Sequence, residues 1–161
     1  MEKIIFLDVD GVLNHVDCWN DNGKNPHPAE IVKGGEGVLK ISIECVKQLN
    51  RIIKETGAKI VLSSTWRRHK NHYDFLLTAN IKGEFIGETP DLLYDVSRET
   101  YRGTEIKEWL DEFGEDCKFI ILDDDDDMED LMDHLIQTDY MTNGLTEEIA
   151  NEAIKKLNEG E

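Results

Sequence analysis

Two aspartates near the amino terminus, Asp8 and Asp10, are candidates for catalysis or metal binding. They follow the apolar run Ile4-Ile5-Phe6-Leu7 and precede a glycine. A second acidic pair, Asp123 and Asp124, follows the apolar run Phe119-Ile120-Ile121-Leu122. A cluster of carboxylates in one cleft is costly unless a cation lies among them, and oxygen ligands favour a hard ion such as Mg²⁺. If the two pairs meet, they predict a magnesium site that could also receive a phosphate.

The elements that would position these residues alternate between strands and helices. Strands are predicted at residues 3–7, 59–62 and 119–122, and less clearly at 84–87 and 135–138. Helices are predicted at residues 43–57 after Ser42, 69–80, 104–114 with Thr104 as N-cap, 128–134, and 147–157 after Thr146. This alternation indicates an α/β fold with a parallel sheet covered on both faces, in which ligands bind beyond the carboxyl ends of the strands.

A hydroxyl residue belongs to the same predicted site. Ser63 follows the run Lys59-Ile60-Val61-Leu62, so it should lie at the same sheet edge as the two acidic pairs. Ser64 is adjacent and could take its place.

Three stretches resemble a known family. Ile5-Phe6-Leu7-Asp8-Val9-Asp10-Gly11-Val12 closely resembles the first motif of the haloacid dehalogenase (HAD) superfamily, Ser63 its second, and Leu122-Asp123-Asp124 its fourth. The runs at 62–67 and 102–110 resemble a small capless branch associated with RNA-repair proteins and related to the phosphatase domain of bacteriophage polynucleotide kinase.

The resemblance implies a fold. It would be a three-layer sandwich with a Rossmann-like parallel sheet, HAD-like and without a large cap domain. We expect residues 1–161 to form a single phosphatase domain, with residues 14–41 as a flap or loop insertion after the first motif.

The resemblance also implies roles. Asp8 would be the nucleophile that forms an aspartyl-phosphate and would bind Mg²⁺. Asp10 would protonate the leaving oxygen and then deprotonate the hydrolytic water, and its backbone carbonyl would bind the metal. Ser63 would hydrogen-bond the transferring phosphoryl group. One or both of Asp123 and Asp124 would hold the metal.

Several assignments stay open in the sequence. The basic residue of the family's third motif would be Arg102, with Lys107 as the alternative. The spacing of Asp123 and Asp127 offers a second metal-ligand pair. Arg67 opens a basic patch that either contacts substrate phosphate or is a solvated helix start.

The three tryptophans are expected to have different roles. Trp66 and Trp109 are expected in the core. Trp19, which lies in the insertion, is the better candidate for touching substrate.

Composition limits the remaining possibilities. The net charge of −17 argues against a broad nucleic-acid-binding face but permits a phosphorylated substrate in a local cleft. Three cysteines without metal-type spacing, and no apolar run of bilayer length, lead us to expect a cytoplasmic protein without membrane association. No stable protein partner is predicted.

These observations predict a Mg²⁺-dependent phosphomonoester hydrolase. An uncapped site stays open to solvent, which suits a terminal phosphate on a nucleotide or nucleic acid. The alternatives are a small-metabolite phosphatase, a phosphotransferase of the same fold, and a binding module without turnover.

Overall fold

A five-stranded parallel sheet forms the centre of the computed structural model, which describes residues 1–19, 31–92, 100–114 and 116–160. The strands in chain order are β1 (Glu2–Leu7), β2 (Ile31–Gly34), β3 (Leu39–Ser42), β4 (Lys59–Leu62), β5 (Phe85–Glu88), β6 (Cys117–Asp123) and β7 (Leu135–Gln137). The main sheet has the order β5-β4-β1-β6-β7, and β2 and β3 form a separate antiparallel hairpin. The sequence therefore predicted the strands of the main sheet.

Helices cover both faces of this sheet. They are α1 (Ile43–Thr56), α2 (Lys70–Thr78), α3 (Arg102–Phe113) and α4 (Glu147–Asn158). Successive side chains of β1 point to opposite faces, so Ile5 and Leu7 pack in the core shared with α1, α2 and α4. Ile4 and Phe6 pack on the other side, in the core shared with α3. The predicted three-layer α/β fold with a Rossmann-like sheet is confirmed.

Two of the three predicted helix caps are present. Ser42 Oγ accepts a hydrogen bond from the Cys45 amide at 3.3 Å, and Thr146 Oγ1 accepts one from Ile149 at 3.3 Å. The prediction that Thr104 caps α3 was wrong, because the helix begins two residues earlier, at Arg102.

The start of α3 is capped by a distant residue instead. The Arg102 amide donates to Asp127 Oδ2 at 3.0 Å, and the Gly103 amide donates to the Asp127 carbonyl at 3.1 Å. These bonds satisfy two of the amide groups that a helix start leaves unpaired. A cap from another segment leaves no local sequence signal, which explains the error.

The predicted insertion at 14–41 contains more structure than a loop. Its described part has a short 3₁₀ turn at Val16–Cys18 and the β2–β3 hairpin, with all four residues of β3 buried. Residues 20–30 of the insertion lie outside the described residues. The predicted helix at 128–134 is a 3₁₀ helix at Glu129–His134. No helix in the described ranges is long and apolar enough to cross a membrane.

Candidate active site

Three strand ends meet at one edge of the sheet. Leu7 is in register with Leu62 of β4 on one side and with Leu122 of β6 on the other. The Ser63 amide donates to the Leu7 carbonyl at 2.8 Å, and the Asp8 amide donates to the Leu122 carbonyl at 2.9 Å. The residues that follow these strands therefore lie side by side, as the sequence predicted.

An acidic cluster forms at this edge. Asp8, Asp123 and Asp124 each offer a carboxylate oxygen, and these three oxygens lie within 4.8 Å of one another. Asp8 and Asp123 are only 8% and 2% exposed. Asp123 Oδ1 accepts a hydrogen bond from the Asp125 amide at 3.0 Å, whereas its buried Oδ2 has no hydrogen-bond partner among the described residues. An unsatisfied buried carboxylate oxygen in an all-oxygen donor set fits a hard divalent cation.

The electrostatics of the cluster have the same implication. Burial raises the pKa of Asp8 to about 7, although the Arg102 charge and a hydrogen bond from Ser64 oppose the rise. Burial and the neighbouring Asp8 raise the pKa of Asp123 to about 8. Burial and Asp125 also raise the pKa of Asp124. The raised pKa values indicate that these carboxylates resist ionisation when they lie together, and a cation would relieve this.

Gly11 permits the close approach of the acidic loop. Its φ of +79° is in the left-handed region, and a Cβ built on it would lie 2.3 Å from Asp124 Cγ. Both the backbone conformation and the lack of space require glycine here. The glycine of the first motif therefore lets Asp124 reach the cluster.

Asp10 is exposed at the mouth of the site, and two side chains hold it. Its Oδ2 accepts a hydrogen bond from Trp66 Nε1 at 2.9 Å, and its Oδ1 accepts one from Asn14 Nδ2 at 2.9 Å. Asn14 is fully buried, and its Oδ1 accepts from the Gly11 amide at 3.0 Å. The Asp10 carboxylate is thus oriented while remaining accessible.

Sequence reasoning missed both of these partners. Trp66 was correctly expected in the core, because it is only 5% exposed. A buried indole N–H requires an acceptor, and that requirement was the available signal. Asn14 lies two residues after the first motif, at the start of the segment that the sequence marked only as loop.

Arg102 and Ser64 are the residues placed against the carboxylates of the acidic cluster. Arg102 Nε lies 3.6 Å from Asp123 Oδ2, and its charge acts on Asp8. Of the two predicted hydroxyls, Ser64 acts on Asp8: burial raises the pKa of that carboxyl, and the Ser64 side chain opposes the rise. Ser63 Oγ is buried and has no hydrogen-bond partner in the described part of the chain. Ser63 and Ser64 are therefore both candidates for this motif.

Arg67 has a different environment from the predicted one. Its side chain is 2% exposed and lies 2.9 Å from Glu105, and it donates to the carbonyls of Ser64 and Pro90 at 2.6 and 3.2 Å. Burial lowers the pKa of this guanidinium, and the Glu105 charge opposes that effect. These bonds direct the guanidinium to protein acceptors, so the geometry does not support a contact with substrate phosphate.

Glu105, which the sequence analysis missed, links the two arginines. Its Oε2 lies 2.9 Å from Arg67 and 3.0 Å from Arg102, one turn before it on the same helix. The side chain of Glu105 is 6% exposed. The Glu105 carboxylate therefore holds the Arg102 guanidinium in position.

Lys107 and Asp127, the alternative candidates for the third motif and for a metal ligand, lie outside the acidic cluster. Lys107 Nζ is exposed and pairs with Asp130 at 2.9 Å, which makes Arg102 the better-placed residue for the third motif. Asp127 caps α3, and the metal-type cluster found among the described residues contains Asp124 instead.

These features define a HAD-type domain. A family model described as the HAD domain in Swiss Army Knife RNA repair proteins matches residues 4–150. The chain therefore belongs to this family, as its first and fourth motifs indicated. Among curated proteins, no sequence matches the chain significantly.

Proposed function

We propose that the protein is a Mg²⁺-dependent phosphomonoester hydrolase that acts through an aspartyl-phosphate on Asp8. One observation carries the proposal. A buried carboxylate, Asp8, lies in an acidic cluster beside Arg102, and an exposed, oriented carboxylate lies two residues further on. This pairing supplies a nucleophile and a proton carrier at one phosphate site.

In the first step, an Asp8 carboxylate oxygen attacks the substrate phosphorus. The bond between phosphorus and the leaving oxygen breaks, and Asp10 gives that oxygen its proton. Asp8 then carries the phosphoryl group, and the leaving group departs as a neutral alcohol. Arg102 and the Ser64 hydroxyl are close enough to Asp8 to stabilise the charge on the transferring group.

In the second step, water attacks the phosphorus of the aspartyl-phosphate. Asp10 takes a proton from this water, and the bond between phosphorus and the Asp8 oxygen breaks. Inorganic phosphate is released and Asp10 is protonated again, ready for the next substrate. One carboxylic acid thus moves a proton in both steps.

Asp8, Asp123 and Asp124 would hold the metal, with the backbone carbonyl of Asp10 as a further ligand. A bound Mg²⁺ would neutralise the repulsion between the substrate phosphate and the attacking carboxylate. The chain's own contribution is to hold these oxygens together in a buried cluster.

We further propose a nucleotide or nucleic-acid terminal phosphate as the substrate. The support is the family description, which refers to RNA repair. The three described cysteines form no disulfide, which agrees with a reducing compartment such as the cytoplasm.

The first test is release of 4-nitrophenol from 4-nitrophenyl phosphate by wild type and Asp8→Asn, with Mg²⁺ and with EDTA. We expect turnover that requires Mg²⁺ and disappears in Asp8→Asn. Fluoroberyllate mimics the aspartyl-phosphate, so with Mg²⁺ it should raise the Tm of the wild type and not of Asp8→Asn. Absence of both turnover and this shift would favour a binding module without turnover.

A further inference from the structure

A groove of about 270 Å³ opens directly beside Asp10. Its lining includes the aromatic and apolar residues Trp19, Val38 and Leu39 and the basic residues Arg68, His69 and His72. We propose that this groove binds the leaving group of the substrate, with Trp19 stacking on a planar ring and His69 with His72 contacting a further phosphate. The inference rests on the proposed function and specifies the substrate for it.

The position of Asp10 decides which part of the substrate enters this groove. In the proposed reaction Asp10 protonates the leaving oxygen, so the leaving group must begin next to its carboxylate. A second cavity, of about 180 Å³, is lined by Arg102, Asp125 and Asp127 but not by Asp10. The leaving group therefore belongs in the Asp10 groove.

The charge of the lining favours an anionic occupant. Asp10 is the only acidic side chain among the described residues that line the groove, in a chain with 35 acidic and 18 basic residues. A larger cavity, of about 760 Å³, has five acidic side chains in its lining: Glu88, Asp91, Glu108, Asp111 and Glu112. A polyanion would be repelled from that cavity, although it is the larger of the two.

The aromatic part of the groove lining suits a planar ring. Trp19 is 39% exposed, and its ring lies 6.4 Å from that of Tyr140, with the Lys40 ammonium 5.7 Å from the ring centre. These contacts hold the indole in place. Val38, which is 70% exposed, adds apolar surface to the lining. A held, exposed indole is the kind of surface on which a nucleobase stacks.

The basic residues of the lining offer donors for an anion. The rings of His69 and His72 lie 4.9 Å apart, edge to face, and the buried Nδ1 of His72 has no hydrogen-bond partner among the described residues. Arg68 makes two hydrogen bonds to Asp91, at 2.5 and 2.8 Å, so part of its charge is used. The histidines, of which His69 is exposed, are therefore the donors that we assign to an anion, and a phosphodiester following the first nucleoside is a matching ligand.

The experiment compares kcat/KM for four nucleotide substrates and one reference. The nucleotides are thymidine monophosphate and the phosphorylated thymidine dinucleotide, each with the terminal phosphate at the 5′ or the 3′ end. The reference is glycerol phosphate, which carries neither a ring nor a second phosphate. For at least one end we expect a preference for the dinucleotide over the mononucleotide of about tenfold.

Two variants test the two parts of the groove lining. Trp19→Ala should lower the ratio of kcat/KM for the mononucleotide over glycerol phosphate by about tenfold, which corresponds to the loss of one base stack. His69→Gln should abolish most of the preference for the dinucleotide over the mononucleotide. Phe113→Ala removes an exposed ring that lines the acidic cavity, and Lys47→Gln removes a surface charge outside the groove; both ratios should be unchanged in these controls.

The outcomes separate the groove from the reaction. If wild type hydrolyses glycerol phosphate and the nucleotides equally well, the groove assignment is overturned and the phosphatase proposal stands. An equal loss for all substrates in Trp19→Ala would also overturn it. If the wild type hydrolyses neither these substrates nor 4-nitrophenyl phosphate, the proposed function fails, and the inference fails with it.

Discussion

The indole of Trp66 donates a hydrogen bond to Asp10 at 2.9 Å, across 56 residues of sequence. This contact joins the segment after β4 to the segment after β1, at the mouth of the site. It holds one carboxylate oxygen of the proposed acid and base. We therefore assign Trp66 as a positioning residue for Asp10. Its effect on the rate should be larger for leaving groups that need a proton.

Replacement of Trp66 should therefore act selectively on poor leaving groups. Trp66→Phe keeps an aromatic ring and removes the N–H. 4-Nitrophenolate leaves as a stable anion, whereas an alkoxide needs the proton of Asp10. We expect kcat/KM to fall about tenfold more for an alkyl phosphate than for 4-nitrophenyl phosphate, as loss of one hydrogen bond to a charged group would cause. The measurement is kcat/KM, which covers only the steps up to the aspartyl-phosphate.

Trp109→Phe is the matched control for this prediction. Trp109 is also buried, but it lies in the core on the α3 side of the sheet, packed against Phe6. Its replacement should lower kcat/KM for both kinds of substrate to the same extent. Equal losses in Trp66→Phe would contradict a positioning role.

The acidic cluster predicts an unusual pH dependence of stability. The folded-state pKa values of Asp8 and Asp123 are raised above the ordinary value of 3.8, to about 7 and about 8. Their contribution to stability is therefore fully present below the ordinary value and is lost as the pH rises through the raised values. In EDTA, the Tm of the wild type should therefore fall relative to that of Asp123→Asn as the pH rises from about 5 to about 8, which lies between the ordinary value and the raised values.

Mg²⁺ should reverse this loss. Because the ion needs ionised ligands, it should raise the Tm of the wild type more at the upper end of this pH range than at the lower end. Asp123→Asn should show little Mg²⁺ effect, and Asp126→Asn, at an exposed position of the same loop, should behave like wild type. A Mg²⁺ effect that is equal at both ends of the range would count against the cluster as the binding site.

Gly11→Ala should weaken the cluster through Asp124. The new Cβ would lie 2.3 Å from Asp124 Cγ, and the φ of +79° disfavours any side chain. The matched control is Gly37→Ala, because Gly37 has a φ of +87° but no atom within 4 Å of the added Cβ. Both variants should lose about 1 kcal/mol or more of stability from backbone strain. Only Gly11→Ala should also raise the Mg²⁺ concentration needed for half-maximal activity.

Arg67 and Arg102, which both contact Glu105, should differ in their roles: Arg67 should support stability and Arg102 should support turnover. Arg67→Gln leaves Glu105 without its most deeply buried partner, so the free energy of unfolding should fall by about 3 kcal/mol. Arg102→Gln should instead lower kcat/KM by at least about a hundredfold, because the charge beside Asp8 is lost. Urea unfolding and turnover, measured on both variants, check the contrast. A large loss of turnover in fully folded Arg67→Gln would restore the phosphate-contact hypothesis for that residue.

The parts of the fold that sequence predicted are those with local causes. Apolar runs such as Ile4–Leu7 can only be buried strands in an α/β pattern, and Ser42 and Thr146 lie directly before the helices they cap. The β2–β3 hairpin was missed because its strands adjoin Gly34, Gly35 and Gly37, and a cluster of glycines between short apolar pieces indicates a loop.

The site shows the same division. Asp8 and Asp123 could be placed together because parallel strand ends must share an edge. The partners of Asp10, and the choice between Ser63 and Ser64, depend on where side chains point after the strands end. Arg67 was misjudged for a related reason. A basic run in an acidic chain suggested a solvated or ligand-facing patch, but its first member is neutralised inside the protein by Glu105, which lies 38 residues away.

Because Asp127 caps α3, the aspartate run is attached to the rest of the protein at two points. Asp123 and Asp124 belong to the acidic cluster, and three residues later the same peptide holds the helix that begins with Arg102. Asp125 and Asp126 are exposed between these two attachments. The number of residues in this run therefore matters more than the charge of its middle members. Deletion of one spacer would shift Arg102 relative to the proposed metal ligands, whereas neutral substitutions at the spacers would leave both in place.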